Sequence, residues 1–292
     1  MSARLLTTIA QVREFTGVAR RQGHVIGCVP TMGDLHAGHG ALIERARTEC
    51  GSVVVTVFVN PIQFDRQDDY ERYTRRLEGD LEFCAARSVD AVFAPAVEEM
   101  YPEPMATFVD VPDLARHLCG EFRPGHFRGV ATVVAKLFHI VQPDAAYFGE
   151  KDAQQLAIIQ RMVRDLNMAV RIVPVPTVRE PDGLAMSSRN RRLSPEERAA
   201  APVLYRALRA AENAVVTGER DAAKVKSAAL GVIAGEPAMR VEYLEVVDAM
   251  MQPVAEVSGT VRLVAAAWLG QTRLIDNLAC EDQRRREHRP GR

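Results

Sequence analysis

Four short segments of this sequence hold residues suited to binding and rearranging oxyanions. The first is PTMGDLHAGH, Pro30 to His39, which follows an apolar run and precedes a segment of helical periodicity. Gly33 and Gly38 permit a tight turn and close backbone approach. A helix starting near Gly38 would point free N–H groups and its positive dipole end at whatever lies over the strand, which is the chemistry of a phosphate site. His36 and His39 are three residues apart, so at a helix start both rings can face one side and donate to phosphate oxygens. Purely structural histidines are the alternative. The spacing also tolerates zinc, but no third ligand follows at metal-site spacing.

The second segment, FVNPIQF (Phe58 to Phe64), brings the uncharged amides of Asn60 and Gln63, which suit hydroxyls and a carboxylate; a capped turn is the plainer reading. In the third, FGEKDAQQL (Phe148 to Leu156), Lys151 supplies a mobile point charge, Asp152 can accept from a ribose hydroxyl or cap a helix, and Gln155 projects beside them. The fourth is AMSSRN (Ala185 to Asn190), where Ser187, Ser188 and Arg189 join hydroxyl donors to a bidentate cation. That set could close over a triphosphate, or it could be an ordinary Ser-rich linker.

The elements that must position these segments alternate between strand and helix. Short β-branched or apolar runs at Val25 to Val29, Ser52 to Val59, Ala91 to Phe93 and Ala146 to Phe148 predict strands. Helical spacing marks Gly129 to Ile140 and Gln154 to Leu166. Such alternation implies α/β architecture with a parallel sheet, whose strand ends at their C-terminal side are where open sheets bind ligands. Past Thr177 the pattern changes to a polar loop, an Ala-rich helical stretch from Pro195 to about Val216 and another from Asp221 to about Ala234. Strand candidates follow at Val241 to Val247, Val261 to Ala266 and Arg273 to Leu278. The expected division is therefore 1–177 for the parallel-sheet domain and 178–292 for a smaller α+β domain. The closing EDQRRREHRPGR reads as a solvated, disordered tail after about residue 280.

Composition narrows the function classes. A formal net charge of −1 leaves no global field to recruit nucleic acid or an anionic membrane. The five cysteines include no CxxC pair and leave one over if paired, which argues against a disulfide framework or a zinc ribbon and for reduced thiols. There is no apolar leader and no long uncharged stretch, so a cytoplasmic location is expected.

The H-x-G-H pattern after a strand resembles the nucleotidyltransferase-type (HIGH-motif) Rossmann-like fold, and MSSRN stands where class I aminoacyl-tRNA synthetases carry a KMSKS loop. Taken together, in order and spacing, PTMGDLHAGH, FVNPIQF, GEKDAQQL and MSSRN resemble the pantothenate synthetase family from about Val25 to Leu278. The resemblance implies that (R)-pantoate is activated by ATP as an acyl-adenylate and passed to β-alanine, with Mg²⁺ accompanying the nucleotide. It implies an ATP site at Pro30, Thr31, Met32, Gly33, Asp34, Leu35, Ala37 and Gly38, with His39 as proton donor beside His36. Gly149, Glu150, Lys151, Asp152, Val178 and Met186 to Arg189 match further ATP contacts. Gln63 and Gln155 match pantoate-binding glutamines, Asn60 lies with Gln63, and Arg123 and His126 in FRPGHFRGV match a mobile wall. A homodimer is implied, with no nucleic-acid or membrane partner. The sequence departs from the family pattern at Thr74, Ala153 and Gly79. At Gly79 an acid is usual, so Asp80 is left as the implied magnesium ligand and metal capture should be weaker.

Two other classes stay open at this point. One is a nucleotidyltransferase that makes a nucleotide-linked product. The other is a non-catalytic nucleotide-binding module.

Overall fold

The computed structural model describes residues 3–281. The chain divides into two compact units, one formed by the described residues up to Glu150 together with Ile158–Thr177, the other by Lys151–Ala157 and the described residues from Val178 onward. The tail expectation falls on 282–292, outside the described residues. Among the described residues no helix is long and apolar enough to cross a membrane.

The first unit is built on six strands: β1 (Arg4–Leu6), β2 (Ile26–Thr31), β3 (Ser52–Val57), β4 (Ala91–Phe93), β5 (Ala145–Gly149) and β6 (Arg171–Val175). They lie in the order β1-β4-β3-β2-β5-β6, every pairing parallel. The central strands read as continuous apolar runs because both faces are covered: Val53, Val54 and Val55 are all fully buried. The α/β class expected from the sequence is thus observed.

Two strands escape the pattern reading, and both are edges. β1 has only three residues, and β6 (RIVPV) alternates in exposure and carries Pro174, which a sheet tolerates at its rim.

The order reverses between β2 and β5, which makes that boundary the topological switch point where open α/β sheets bind ligands. The ladders bear this out geometrically. β2 pairs with β3 through Thr31, and β5 with β6 through Gly149, but β2 and β5 pair only at Gly27↔Ala145 and Cys28↔Ala146. Beyond Cys28 the two strands share no further pairing, and the gap so left opens at their C-terminal ends.

The second unit is α+β. Its sheet is an antiparallel meander of β7 (Met239–Val247), β8 (Thr260–Leu269) and β9 (Thr272–Glu281). Leu204, Leu208 and Val215 pack with Val225 and Ile233 against Val246, Leu263 and Ala265 of the sheet to form its core. The helical stretch read from Pro195 to Val216 is two helices, Pro195–Ala200 and Val203–Val216. Pro202 lies at the break, where its ring and missing N–H end one helix and suit the start of the next.

Candidate active site

β2 delivers the chain into the first motif. The Thr31 hydroxyl donates to the Thr56 carbonyl at 2.6 Å and accepts from the Gly33 amide at 3.1 Å, so the turn is tied to β3 as it leaves the sheet. Gly33 and Asp34 both adopt left-handed backbone, φ 83° and 56°. The chain then enters the helix Ala37–Glu49 with His36 as its N-cap.

Both histidines serve as caps. The Nδ1 atom of His36 accepts from the Gly38 amide at 3.1 Å, and the Nδ1 atom of His39 accepts from the His36 amide at 3.3 Å. A ring nitrogen that accepts a main-chain N–H carries no proton, so each neutral ring holds its hydrogen on Nε2 and is a donor there. The ring centroids lie 4.1 Å apart, with the planes tilted by 35°. The result is two Nε2–H donors beside the first amides of a helix, an arrangement suited to phosphate oxygens.

Asn60 and Gln63 bracket a single 3-10 turn, Pro61–Gln63. Asn60 is 1% exposed and fully engaged: its Nδ2 donates to Gln63 Oε1 at 2.9 Å and to the Gly129 carbonyl at 3.2 Å, and its Oδ1 accepts from the Tyr101 hydroxyl at 2.7 Å. This settles the orientation of the Gln63 amide. Its oxygen faces Asn60, and its Nε2 points to Met32 of the first motif, where the thioether sulfur at 3.0 Å is only a weak acceptor. A substrate oxygen would be a better partner for that amide.

His126 and Arg123 extend the same network. His126 donates from Nδ1 to the Gln63 carbonyl at 2.8 Å, while its Nε2 faces Arg123 Nη1 at 3.1 Å and so accepts. Arg123 Nε in turn donates to Asp65 at 3.1 Å. His126 therefore holds the opposite tautomer from His36 and His39, and it braces the turn from behind.

Asp80, implied by the resemblance as a magnesium ligand, is 3% exposed, and its two oxygens accept from the Asp34 and Leu35 amides at 3.0 and 2.8 Å. Among the described residues no group of three or more His, Cys, Asp or Glu is arranged to hold a metal ion.

In the second unit Lys151 follows the end of β5 by two residues, and its carbonyl accepts from Asn277 Nδ2 at 2.9 Å. Gln155 is half-buried and Asp152 exposed. The AMSSRN segment hangs on a small hairpin: Arg179 bridges to Ala185, and the Met186 amide donates to the Val178 carbonyl at 2.9 Å. Arg179 grips Asp276 through two bonds of 2.6 and 2.9 Å and reaches the Gly183 carbonyl at 3.0 Å. Burial pushes the Asp276 carboxyl up, and the Arg179 guanidinium works against that shift. Ser187 caps the turn Ser188–Arg192 by accepting the Arg189 amide, and Asn190 Nδ2 donates to the Ala185 carbonyl at 3.1 Å.

Thiol catalysis is disfavoured. All five cysteines are buried and form no disulfide, and burial pushes Cys28, Cys84 and Cys280 up to about 12, so each of these three stays a protonated thiol near neutrality.

Pattern reading misses Tyr101, Gly129, Arg179, Asp276 and Asn277. Three of these positions leave a trace: Asp276 and Asn277 place a buried polar pair between Leu274, Ile275 and Leu278 of a strand, and Gly129 is an isolated glycine within a helical period. Tyr101 leaves none.

The sequence model of the pantoate-beta-alanine ligase family matches residues 4–279. A pantothenate synthetase from Moorella thermoacetica is 53% identical over 278 residues, 95% of this chain and 98% of that protein. One from Thermotoga neapolitana is 51% identical over 275 residues, 94% and 98% of the two chains. Among solved structures, pantothenate synthetase from Thermus thermophilus has a TM-score of 0.89 at 49% identity, covering 94% of this chain and 98% of that one. The pantoate-beta-alanine ligase of Francisella tularensis, solved with Beta-gamma ATP and β-alanine, has a TM-score of 0.78 at 31% identity over 95% and 97% of the chains. Matches of this length and identity, on a sheet whose switch point bears the histidine loop, assign the chain to a family: it belongs to the pantoate-beta-alanine ligases.

Proposed function

We propose that the chain condenses (R)-pantoate with β-alanine at the expense of ATP, through a pantoyl-adenylate, releasing AMP and pyrophosphate as the last step of pantothenate synthesis. The observation that carries this reading is the histidine pair, both rings locked as Nε2–H donors at a helix start beside the switch point of the sheet. The bound nucleotide and β-alanine of the Francisella tularensis relative support the substrate assignment.

A carboxylate resists attack by an amine because its leaving group would be oxide. In the first step a pantoate carboxylate oxygen bonds to the α-phosphorus and pyrophosphate departs. In the second the β-alanine amine attacks the acyl carbon, AMP leaves with the bonding pair, and the amine gives up a proton. No covalent enzyme intermediate is needed. Magnesium enters with ATP as part of the substrate complex, where phosphates and waters supply most of its ligands.

The residues of the chain then have distinct duties. His36 and His39 donate from Nε2 to phosphate oxygens as charge develops, with the helix amides beside them. Lys151, Ser187, Ser188 and Arg189 supply further donors, and Gly149, Glu150, Asp152, Val178 and Met186 complete the nucleotide contacts. The Gln63 Nε2 group and Gln155 hold pantoate by its oxygens, with Asn60 orienting Gln63. Removing one preorganised donor of this kind costs typically about 2.7–4 kcal/mol in the barrier, or about 10²–10³ in rate. A homodimer is part of the proposal and is checked by sedimentation equilibrium.

The test is AMP and pyrophosphate release with pantoate alone, β-alanine alone and both together. Pyrophosphate exchange with pantoate alone, and AMP only when β-alanine is added, is the expected result. A nucleotide-linked product with no AMP would instead indicate a nucleotidyltransferase.

A further inference from the structure

We infer that Asp80 is a positioning residue that holds the nucleotide loop in shape through main-chain amides, and not a magnesium ligand. The inference rests on reading Met32 to His39 as the ATP site, but its geometry stands independently.

The loop has a conformational cost to meet. Asp34 sits at φ 56°, in the left-handed region that a non-glycine residue enters only when its surroundings hold it there. Asp80 provides the hold from 46 residues away: one carboxylate oxygen accepts the Asp34 amide at 3.0 Å, the other the Leu35 amide at 2.8 Å. Hydrogen bonds to an ionised acceptor are about twice as strong as neutral ones, and two divergent bonds fix an orientation that one cannot. The carboxylate lies in the first turn of the helix Leu77–Ala85, whose positive end offsets part of the cost of burying it.

Close approach is built in from the other side as well. A Cβ on Gly33 would lie 2.8 Å from Asp80 Oδ2 and 2.9 Å from Val57 Cγ1, so a side chain there would push the loop off its brace. The left-handed φ of 83° at Gly33 makes the same demand independently.

A magnesium role fits these residues poorly. Mg²⁺ needs near-octahedral oxygen ligands at about 2.0–2.1 Å and usually keeps several waters. Asp80 is buried, with an amide on each oxygen, and Glu78 and Gly79 are exposed on the same short helix. Consecutive helical residues do not face one another, so an acid at position 79 would not join Asp80 in a common site. The glycine at 79 then leaves the function of Asp80 untouched.

The decisive experiment compares wild type with Asp80→Asn, which keeps the shape but turns one acceptor into an NH₂ opposed to an amide. A brace predicts that in the folded variant the KM for ATP rises at least tenfold with the KM for pantoate within twofold, and that the Mg²⁺ giving half-maximal rate at saturating MgATP stays within twofold. It also predicts faster hydrogen exchange at the Asp34 and Leu35 amides of the nucleotide-free variant. If the variant fails to fold, the wild-type protein decides: without nucleotide, those two amides must be strongly protected, and added MgCl₂ must leave that protection unchanged. A variant rescued by excess Mg²⁺, a variant with wild-type kinetics, or wild-type amides that exchange freely or respond to Mg²⁺ alone would each overturn the inference. Failure of the proposed function would show instead as absent AMP release in wild type, leaving the exchange measurements to judge the brace.

Discussion

Adding a single methyl group at Gly129 tests whether the Asn60–Gln63 turn positions a substrate. A Cβ built on Gly129 lies 2.4 Å from the Ile62 carbonyl oxygen, 2.6 Å from Gln63 Cα and 2.7 Å from Gln63 N. All three are backbone atoms, so no side chain can swing aside. Ordinary contact begins near 3.4 Å, and Gly129→Ala therefore forces the turn and the helix apart by about 1 Å. The bond from Asn60 to the Gly129 carbonyl, now 3.2 Å, stretches with it, and the His126 bond to the Gln63 carbonyl is displaced as well. Overpacking of this kind costs about 1–3 kcal/mol of stability, and a 1 Å misplacement of a substrate-positioning group costs about 10²-fold in rate. The expected result is a fall of that size in kcat/KM for pantoate and a modestly lower Tm, with ATP affinity by calorimetry changed by less than about threefold, or about 0.7 kcal/mol. Wild-type kcat/KM in the folded variant would refute the claim that this turn holds the substrate. Equal losses in ATP and pantoate binding would move the turn to the nucleotide site.

Further outcomes follow from the same geometry. His39→Ala or Lys151→Ala should slow pantoyl-adenylate formation at least about a hundredfold in rapid-quench measurements, with the thermal melt retained, because on the proposed mechanism each removes a donor to phosphate charge; near-wild-type adenylation excludes that residue from the step. Gly79→Asp should raise stability by about 0.3–1 kcal/mol, since an acid in a helix first turn complements the dipole and nothing lies within 4 Å of the new Cβ; a lower Tm contradicts this. Glu49 is held down from 4.5 to about 2 by its bonds to Arg171 and then Arg45. Its depressed value stabilises the fold above pH 4.5 and ceases to as pH falls toward about 2, so the Tm gap between wild type and Glu49→Gln should close over that interval. A gap that is constant through acid pH would show the contribution to be uncharged.

What can be read from the chain alone is what neighbours in sequence determine. The histidine loop is legible because its parts act on each other within a few residues: strand, glycine turn, N-cap and rings all lie between Ile26 and His39, and both caps are made three residues apart or fewer. The alternation of buried strands is legible for a similar reason, since β3 announces itself by three consecutive fully buried valines. The edge strands are not, because half-exposed RIVPV and three-residue RLL lack the apolar run that burial on both faces imposes. The support of the site is illegible in a stricter sense. Tyr101 reaches Asn60 across 41 residues, Gly129 is required by a turn 66 residues earlier in the chain, and Asp80 meets Asp34 across 46. A tyrosine, a glycine and an aspartate of ordinary appearance carry these duties, and their residue types declare nothing until the sheet brings the segments together. Asp80 shows this most sharply: acids at 79 and 80 would look like a ligand pair in one dimension, whereas on a helix neighbouring side chains diverge. Motifs therefore disclose the groups proposed to touch substrate, while the groups that aim them are fixed by long-range packing, and it is those aiming groups whose substitution should separate KM from kcat.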